Sequence, residues 1–174
     1  MITVQAMRIP SHYDDEAIIQ SLWANEECID LNSVQFGTGE VVLLDVPDDI
    51  PDETTSIRFR VKGRIPARDA IRLPGVTLSA GLSASAEAPV LLEELGLRIT
   101  GGECAAYGTF GFVAVSRISD DYLVWLAFFL NSNPFVTLSS DGTSVVAKNN
   151  LGARYVFPLD RPHGVQVAAA SEVS

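Results

Sequence analysis

The sequence predicts a mainly β protein: an antiparallel sheet or a two-sheet sandwich, with a C-terminal meander and one or two short helices. Three observations carry that expectation. From Tyr122 onward, turn residues separate β-prone runs at intervals of about ten positions. Asp141-Gly142 sits between two of those runs, the dipeptide pattern of a tight hairpin. Ile57-Arg58-Phe59-Arg60-Val61-Lys62-Gly63-Arg64-Ile65 alternates apolar and basic residues. Successive strand side chains point to opposite faces. Ile57, Phe59, Val61 and Ile65 are therefore expected on a buried face, and the four cations on a wet one.

The elements follow in chain order. Ile2 to Ile9 reads as a first strand, closed by Pro10. Ser11, three residues before Asp14, gives a capping-box pattern, and Ile18/Leu22 and Ile19/Trp23 are spaced four apart. Acids crowd the same turn, where they suit the helix dipole, so a helix is expected over Tyr13 to Asn25. Gly37-Thr38-Gly39 closes an irregular stretch, Glu40 to Val46 is a strand, and Pro47 to Asp52 is a loop by composition. Val76 to Leu82 is the strand expected after the basic one. Pro89 and Gly96 bracket Val-Leu-Leu-Glu-Glu-Leu, which fits a short helix, with a strand as the competing reading. Gly101-Gly102 reads as a turn and Phe110 to Ile118 as a strand.

Tyr122 to Leu130 is apolar on both faces, which suits a central strand or a buried helix; the turn spacing that follows favours the strand. Asn131 to Pro134 is then a turn. Phe135 to Ser139, Thr143 to Lys148 and Ala153 to Phe157 are strands, joined through Asp141-Gly142 and Asn149 to Gly152, and Val165 to Val167 adds a last short one. Trp125 and Phe129 fall on one face of their strand and Phe128 on the other. With Phe135, Tyr155 and Phe157 they are expected in the core. Residues 1–167 are expected to form a single globular domain and residues 168–174 a frayed tail.

At 174 residues, 47% apolar and mean hydropathy +0.21, the chain is too hydrophobic for disorder. Its longest apolar run is too short to cross a bilayer, and no secretory signal is visible, so the expected compartment is the cytoplasm. Cys28 and Cys104, without CxxC spacing, are expected as free thiols. The formal net charge is −10, unevenly spread: residues 1–53 hold twelve acids and one base, Arg8. Within 57–72, six cations face a single acid, Asp69.

Few residues point to chemistry. His12 and His163 are the ordinary proton shuttles, but no G-x-S-x-G elbow accompanies them, and both read as surface-loop histidines. No metal is expected, because zinc spacings are lacking and the acids around Asp48 do not follow the order of a calcium loop. No cofactor is expected, since no phosphate-cradling glycine motif occurs. Arg58, Arg60, Lys62 and Arg64 form a candidate anion strip, yet an overall charge of −10 repels polyanions at long range. The favoured reading pairs those cations with Glu40 or Asp45 on a neighbouring strand and uses them to guard a sheet edge. Neither nucleic acid nor membrane is expected as a partner.

Without a catalytic constellation, enzyme activity is not expected. The candidate partner-binding residues are Asp45, Asp48, Asp49, Asp52, Glu53, Glu26, Glu27 and Asp30, which would steer a basic protein electrostatically. In size and charge, though in no motif, the chain is similar to bacterial immunity proteins that plug a toxin's positive active site. An immunity or inhibitor-type binding module is therefore the first expectation. A structural or assembly component of a phage or bacterial machine is the second, and a hydrolase using scattered carboxylates the third.

Overall fold

The computed structural model describes residues 14–48, 56–84, 88–105 and 107–168. The chain first forms helix α1 (Asp15–Ala24). Asp14 is its N-cap: the carboxylate accepts the Glu16 N–H at 3.4 Å. Ile19 and Leu22 turn inward. The Ser11 capping pattern and the strand expected over Ile2 to Ile9 lie outside the described residues.

The following stretch, expected to be irregular, contains two short strands, β1 (Glu27–Ile29) and β2 (Ser33–Phe36). Their backbone is held by long-range partners that local pattern does not reveal. Gln35, nearly fully buried, folds its amide back on β1, accepting from Ile29 N at 3.1 Å and donating to Ile29 O at 2.8 Å. Strand β3 (Glu40–Asp45) falls where expected.

The basic stretch is two strands rather than one: β4 (Ile57–Arg58) and β5 (Arg60–Pro66). They belong to different sheets, with β4 against β15 (Gln166–Ala168) and β5 against β3. Between them Phe59, 3% exposed, drops between the sheets onto Phe129 and Tyr155. A β-bulge then breaks the alternation of β5: Leu44 faces Val61 and Leu43 faces Gly63, leaving Lys62 unopposed. Val61, expected to be buried, is 38% exposed on this sheet edge. The four cations are all exposed, but the bulge and the change of sheet keep them from forming one row on one face.

After α2 (Ala67–Ala70), the strand expected over Val76 to Leu82 divides at Gly81 into β6 (Leu78–Ala80) and β7 (Leu82–Ser83). The Pro89 segment resolves both readings in succession. Strand β8 (Val90–Leu92) leads into one 3-10 turn, Glu93–Leu95, ended by Gly96 at φ +65°. Gly101-Gly102 is not a turn but the buried middle of β9 (Leu97–Cys104). A Cβ on Gly101 would lie 3.1 Å from Phe112 O and 3.2 Å from a Leu138 methyl, so the missing side chain lets the second sheet approach.

Strands β10 (Tyr107–Arg117) and β11 (Leu123–Phe129) form the middle of the main sheet, and β12 (Phe135–Ser140), β13 (Ser144–Asn149), β14 (Arg154–Pro158) and β15 continue as hairpins. The hairpin series starts at Phe135. Tyr122 to Leu130 pairs with β10 and β2, so the Asn131–Pro134 turn carries the chain from one sheet to the other.

Among the described residues, an eight-stranded sheet runs β5-β3-β2-β11-β10-β9-β7, with β8 also on β9, and a five-stranded sheet runs β12-β13-β14-β15-β4. All pairings are antiparallel. The larger sheet is covered on both sides. One core, with Trp125, Phe129, Tyr155 and Phe157, lies between the two sheets. The other, with Ile19, Leu22, Phe112 and Phe128, lies under α1, α2 and the β1–β6 ribbon. Alternate residues of β11 serve the two cores, as expected for Trp125, Phe128 and Phe129, and the bulge opposite Val115/Ser116 turns Leu123 to the second.

Candidate functional site

The acidic first third and the basic strip are folded against each other. Asp45, at the end of β3, accepts from Arg60 at 3.3 Å, and Glu40, at its start, accepts from Arg64 at 2.9 Å. β3 and β5 build the expected cross-strand pairing for two of the four cations, Arg60 and Arg64. Arg68 adds a bidentate contact to Asp15, 2.7 Å at its shortest, and its backbone N–H donates to the same carboxylate at 2.9 Å. Arg68 holds the Asp15 carboxyl below its ordinary value through that hydrogen bond. Residues 14–48 carry nine acids and no base, so three of the nine are taken up by Arg60, Arg64 and Arg68.

The candidate docking acids are thereby sorted. Asp48 is exposed just beyond β3, without an ion pair among the described residues. Glu26 is exposed at φ +57°, where the chain leaves α1, and Glu27 is half-buried in β1. Asp30 is a structural anchor: one oxygen accepts from Thr77 Oγ1 at 2.6 Å, and the other is buried without a partner. Asp49, Asp52 and Glu53 lie outside the described residues. Arg58 and Lys62 are exposed and form no ion pair among the described residues.

An open cleft of about 320 Å³ lies where the first turn of α1 meets the β3–β5 edge. Asp14, Asp15, Thr38, Glu40 and Arg64 supply its polar wall, and Gly39, Ile65 and Pro66 the rest. Gly39 is required there. It sits at φ +104°, and a Cβ on it would strike the Asp15 backbone, so only glycine brings this turn against the helix. Its carbonyl then accepts from Ala67 N at 2.8 Å, seating α2 beside the cleft.

Beyond Arg64 stands His163, in the one-turn 3-10 segment Pro162–Gly164. It is half-buried rather than the surface-loop residue expected, and its ring lies edge-on to Phe36, 6.1 Å between centroids. Arg64 approaches His163 Nε2 to 3.2 Å. A guanidinium only donates, so Nε2 accepts and the ring is neutral with its proton on Nδ1. Burial, followed by the charges of Arg64 and Arg161, lowers the His163 pKa from its ordinary value. Glu40, Arg64 and His163 thus form a chain of contacts joining the edge of the larger sheet to the β14–β15 connection. His12 lies outside the described residues.

The remaining reactive groups are withdrawn from solvent. Cys28 and Cys104 are free and buried, and desolvation pushes the Cys28 thiol up, keeping it protonated. Trp125, Phe128, Phe129, Phe135, Tyr155 and Phe157 are all buried, so none stands out as a surface anchor. Among the described residues no three His, Cys, Asp or Glu side chains gather as a metal site, and no helix is long and apolar enough to cross a membrane. The cleft and the Arg64–His163 contact were not legible in the sequence. Glu40 and Arg64 carried a signal as a cross-strand pair, but nothing local links either to a histidine 99 positions further on. Comparison with family models, with curated proteins and with solved structures finds no match for this chain.

Proposed function

We propose that this chain is a small acidic protein-binding module of the immunity or inhibitor type, working in the cytoplasm to neutralise a basic partner such as a toxin. The observation that carries the reading is the surplus of acid in the first third. Of the nine carboxylates in residues 14–48, three are matched by arginines, while Asp14, Glu26 and Asp48 are exposed and form no ion pair among the described residues. A surface of that sign raises the encounter rate with a cationic protein and repels acidic ones. Arg60 and Arg64 support the same reading indirectly. They fix Asp45 and Glu40 in place and guard the β5 edge against strand addition, leaving docking to the unmatched acids.

The test is capture from the source organism with the wild-type chain and with a variant carrying Asp48, Asp49, Asp52 and Glu53 as lysines. A basic protein retained by the first and lost by the second is the expected result. Retention of one partner equally by both chains would remove the acids from the account.

A further inference from the structure

We propose that the outer face of the five-stranded sheet docks the acidic helical layer of a second copy of this chain, head to tail. On β13 and β14, Val145, Ala147, Tyr155 and Phe157 point into the core. The alternate positions face outward, and the register sets them side by side. Lys148 lies opposite Arg154, Val146 opposite Val156, Val156 opposite Gln166, and Gln166 opposite Arg58. Arg58, Lys148 and Arg154 are exposed, and the ion pairs of the described residues use none of them. No outward ladder position of this sheet is Asp or Glu.

In a chain of net charge −10 the charged positions of this face are all cationic, and two like charges sit directly across a ladder, an arrangement that destabilises the isolated sheet. The Val146–Val156 pair, half-buried at its centre and rimmed by polar and basic side chains, has the composition of a docking patch.

The occupant follows from charge complementarity within the molecule itself. The larger sheet separates this face from the opposite outer layer, which consists of α1, β1, β6 and α2. That layer is acidic on balance: Asp14, Glu26 and Asp69 are exposed on it against Arg72, and Arg68 is already held by Asp15. Two oppositely charged outer layers on one molecule match when copies stack, in a heterologous contact rather than a two-fold one. The inference goes beyond the proposed function: it shares Asp14 and Glu26 with that reading, but its basic face and its test do not involve Asp48.

Sedimentation equilibrium of the full chain tests it. Mass above the 18.7 kDa monomer is expected at about 20 mM salt and the monomer alone at about 500 mM, with the apparent dissociation constant rising at least about tenfold between them. K148E/R154E and E26K/D69K should each be monomeric at low salt, and their equimolar mixture should regain the association, since one supplies an acidic face and the other a basic layer. K148Q/R154Q, which leaves side chains of similar length, should weaken association in the same direction and stands in if a reversal fails to fold. A monomer at all salts overturns the proposal, as does association that both substitutions leave unchanged. Low-salt binding of a single-stranded oligonucleotide that K148Q/R154Q abolishes, in a chain that stays monomeric, would assign the face to a polyanion instead.

Discussion

The two sheets solve the same problem in opposite ways. The five-stranded sheet has one buried face and one wet face, so β13 and β14 read as alternations: in β13, Val145 and Ala147 are buried while Ser144, Val146 and Lys148 face outward. The eight-stranded sheet is buried on both sides, and its central strand β11 is nearly apolar throughout. A strand that must satisfy two cores is sensitive at every position, and its alternation carries no outward signal. A strand that satisfies one core leaves half its positions free for charge. The chain accordingly carries Lys148 and Arg154, which form no ion pair among the described residues, on the outward positions of the five-stranded sheet, and encloses Trp125, Phe129, Tyr155 and Phe157 between the two sheets.

The largest expected effect lies where both demands meet. Trp125→Ala removes a side chain 1% exposed, stacked near Phe157, whose Nε1–H donates to Leu159 O at 3.0 Å and so ties the two sheets together. Urea unfolding should show a loss of about 3–5 kcal/mol. Val146→Ala on the wet face should cost well under half as much, and equal losses would break the contrast between the sheets. Gly101→Ala comes next, at about 1–3 kcal/mol, because the new methyl meets Phe112 O and Leu138. Gly63→Ala is its control. An added Cβ there meets nothing within 4 Å, so stability should stay the same or rise slightly.

These contrasts also show which parts of the fold were legible. The hairpins from Phe135 to Pro158 could be read because Asp141-Gly142 is a local signal that acts within its own few residues: Asp141 accepts from the Thr143 and Ser144 N–H groups. The division of Ile57 to Ile65 between two sheets could not. Its cause is the pocket that Phe59 fills between Phe129 and Tyr155, residues 70 or more positions away, and alternation reads the same whichever sheet a strand joins. Gly101-Gly102 misled for a related reason, since two glycines signal a turn unless another backbone must come close. The ion pairs at Asp45 and Glu40 were legible as a cross-strand pattern. The cleft and its histidine were not, because they depend on where the β14–β15 connection comes to rest.

A smaller effect concerns that histidine, a titratable contact between the sheets. Its pKa in the folded chain is below the ordinary value of about 6.5, so the unfolded chain binds more protons between the two values. The contribution to stability is complete above about pH 6.5 and declines as pH falls through that value toward the folded one. Protonation also sets Nε2–H against the Arg64 guanidinium across 3.2 Å. His163→Gln, whose Oε1 can accept without titrating, should flatten this part of the stability–pH curve. A curve unchanged by H163Q would detach His163 from the acid response. The smallest effect is expected for Arg60→Gln, about 0–1 kcal/mol by thermal unfolding, because its partner Asp45 is about half exposed and the arginine more so.

The measurement closest to the central claim is the association rate between this chain and a basic protein retained in the capture experiment, followed against salt concentration. The rate is expected to fall steeply as salt rises and to drop at low salt when Asp48, Asp49, Asp52 and Glu53 are replaced by lysine, with the unfolding midpoint nearly unchanged. A rate indifferent to both salt and those four substitutions, or failure to capture any basic protein, contradicts it.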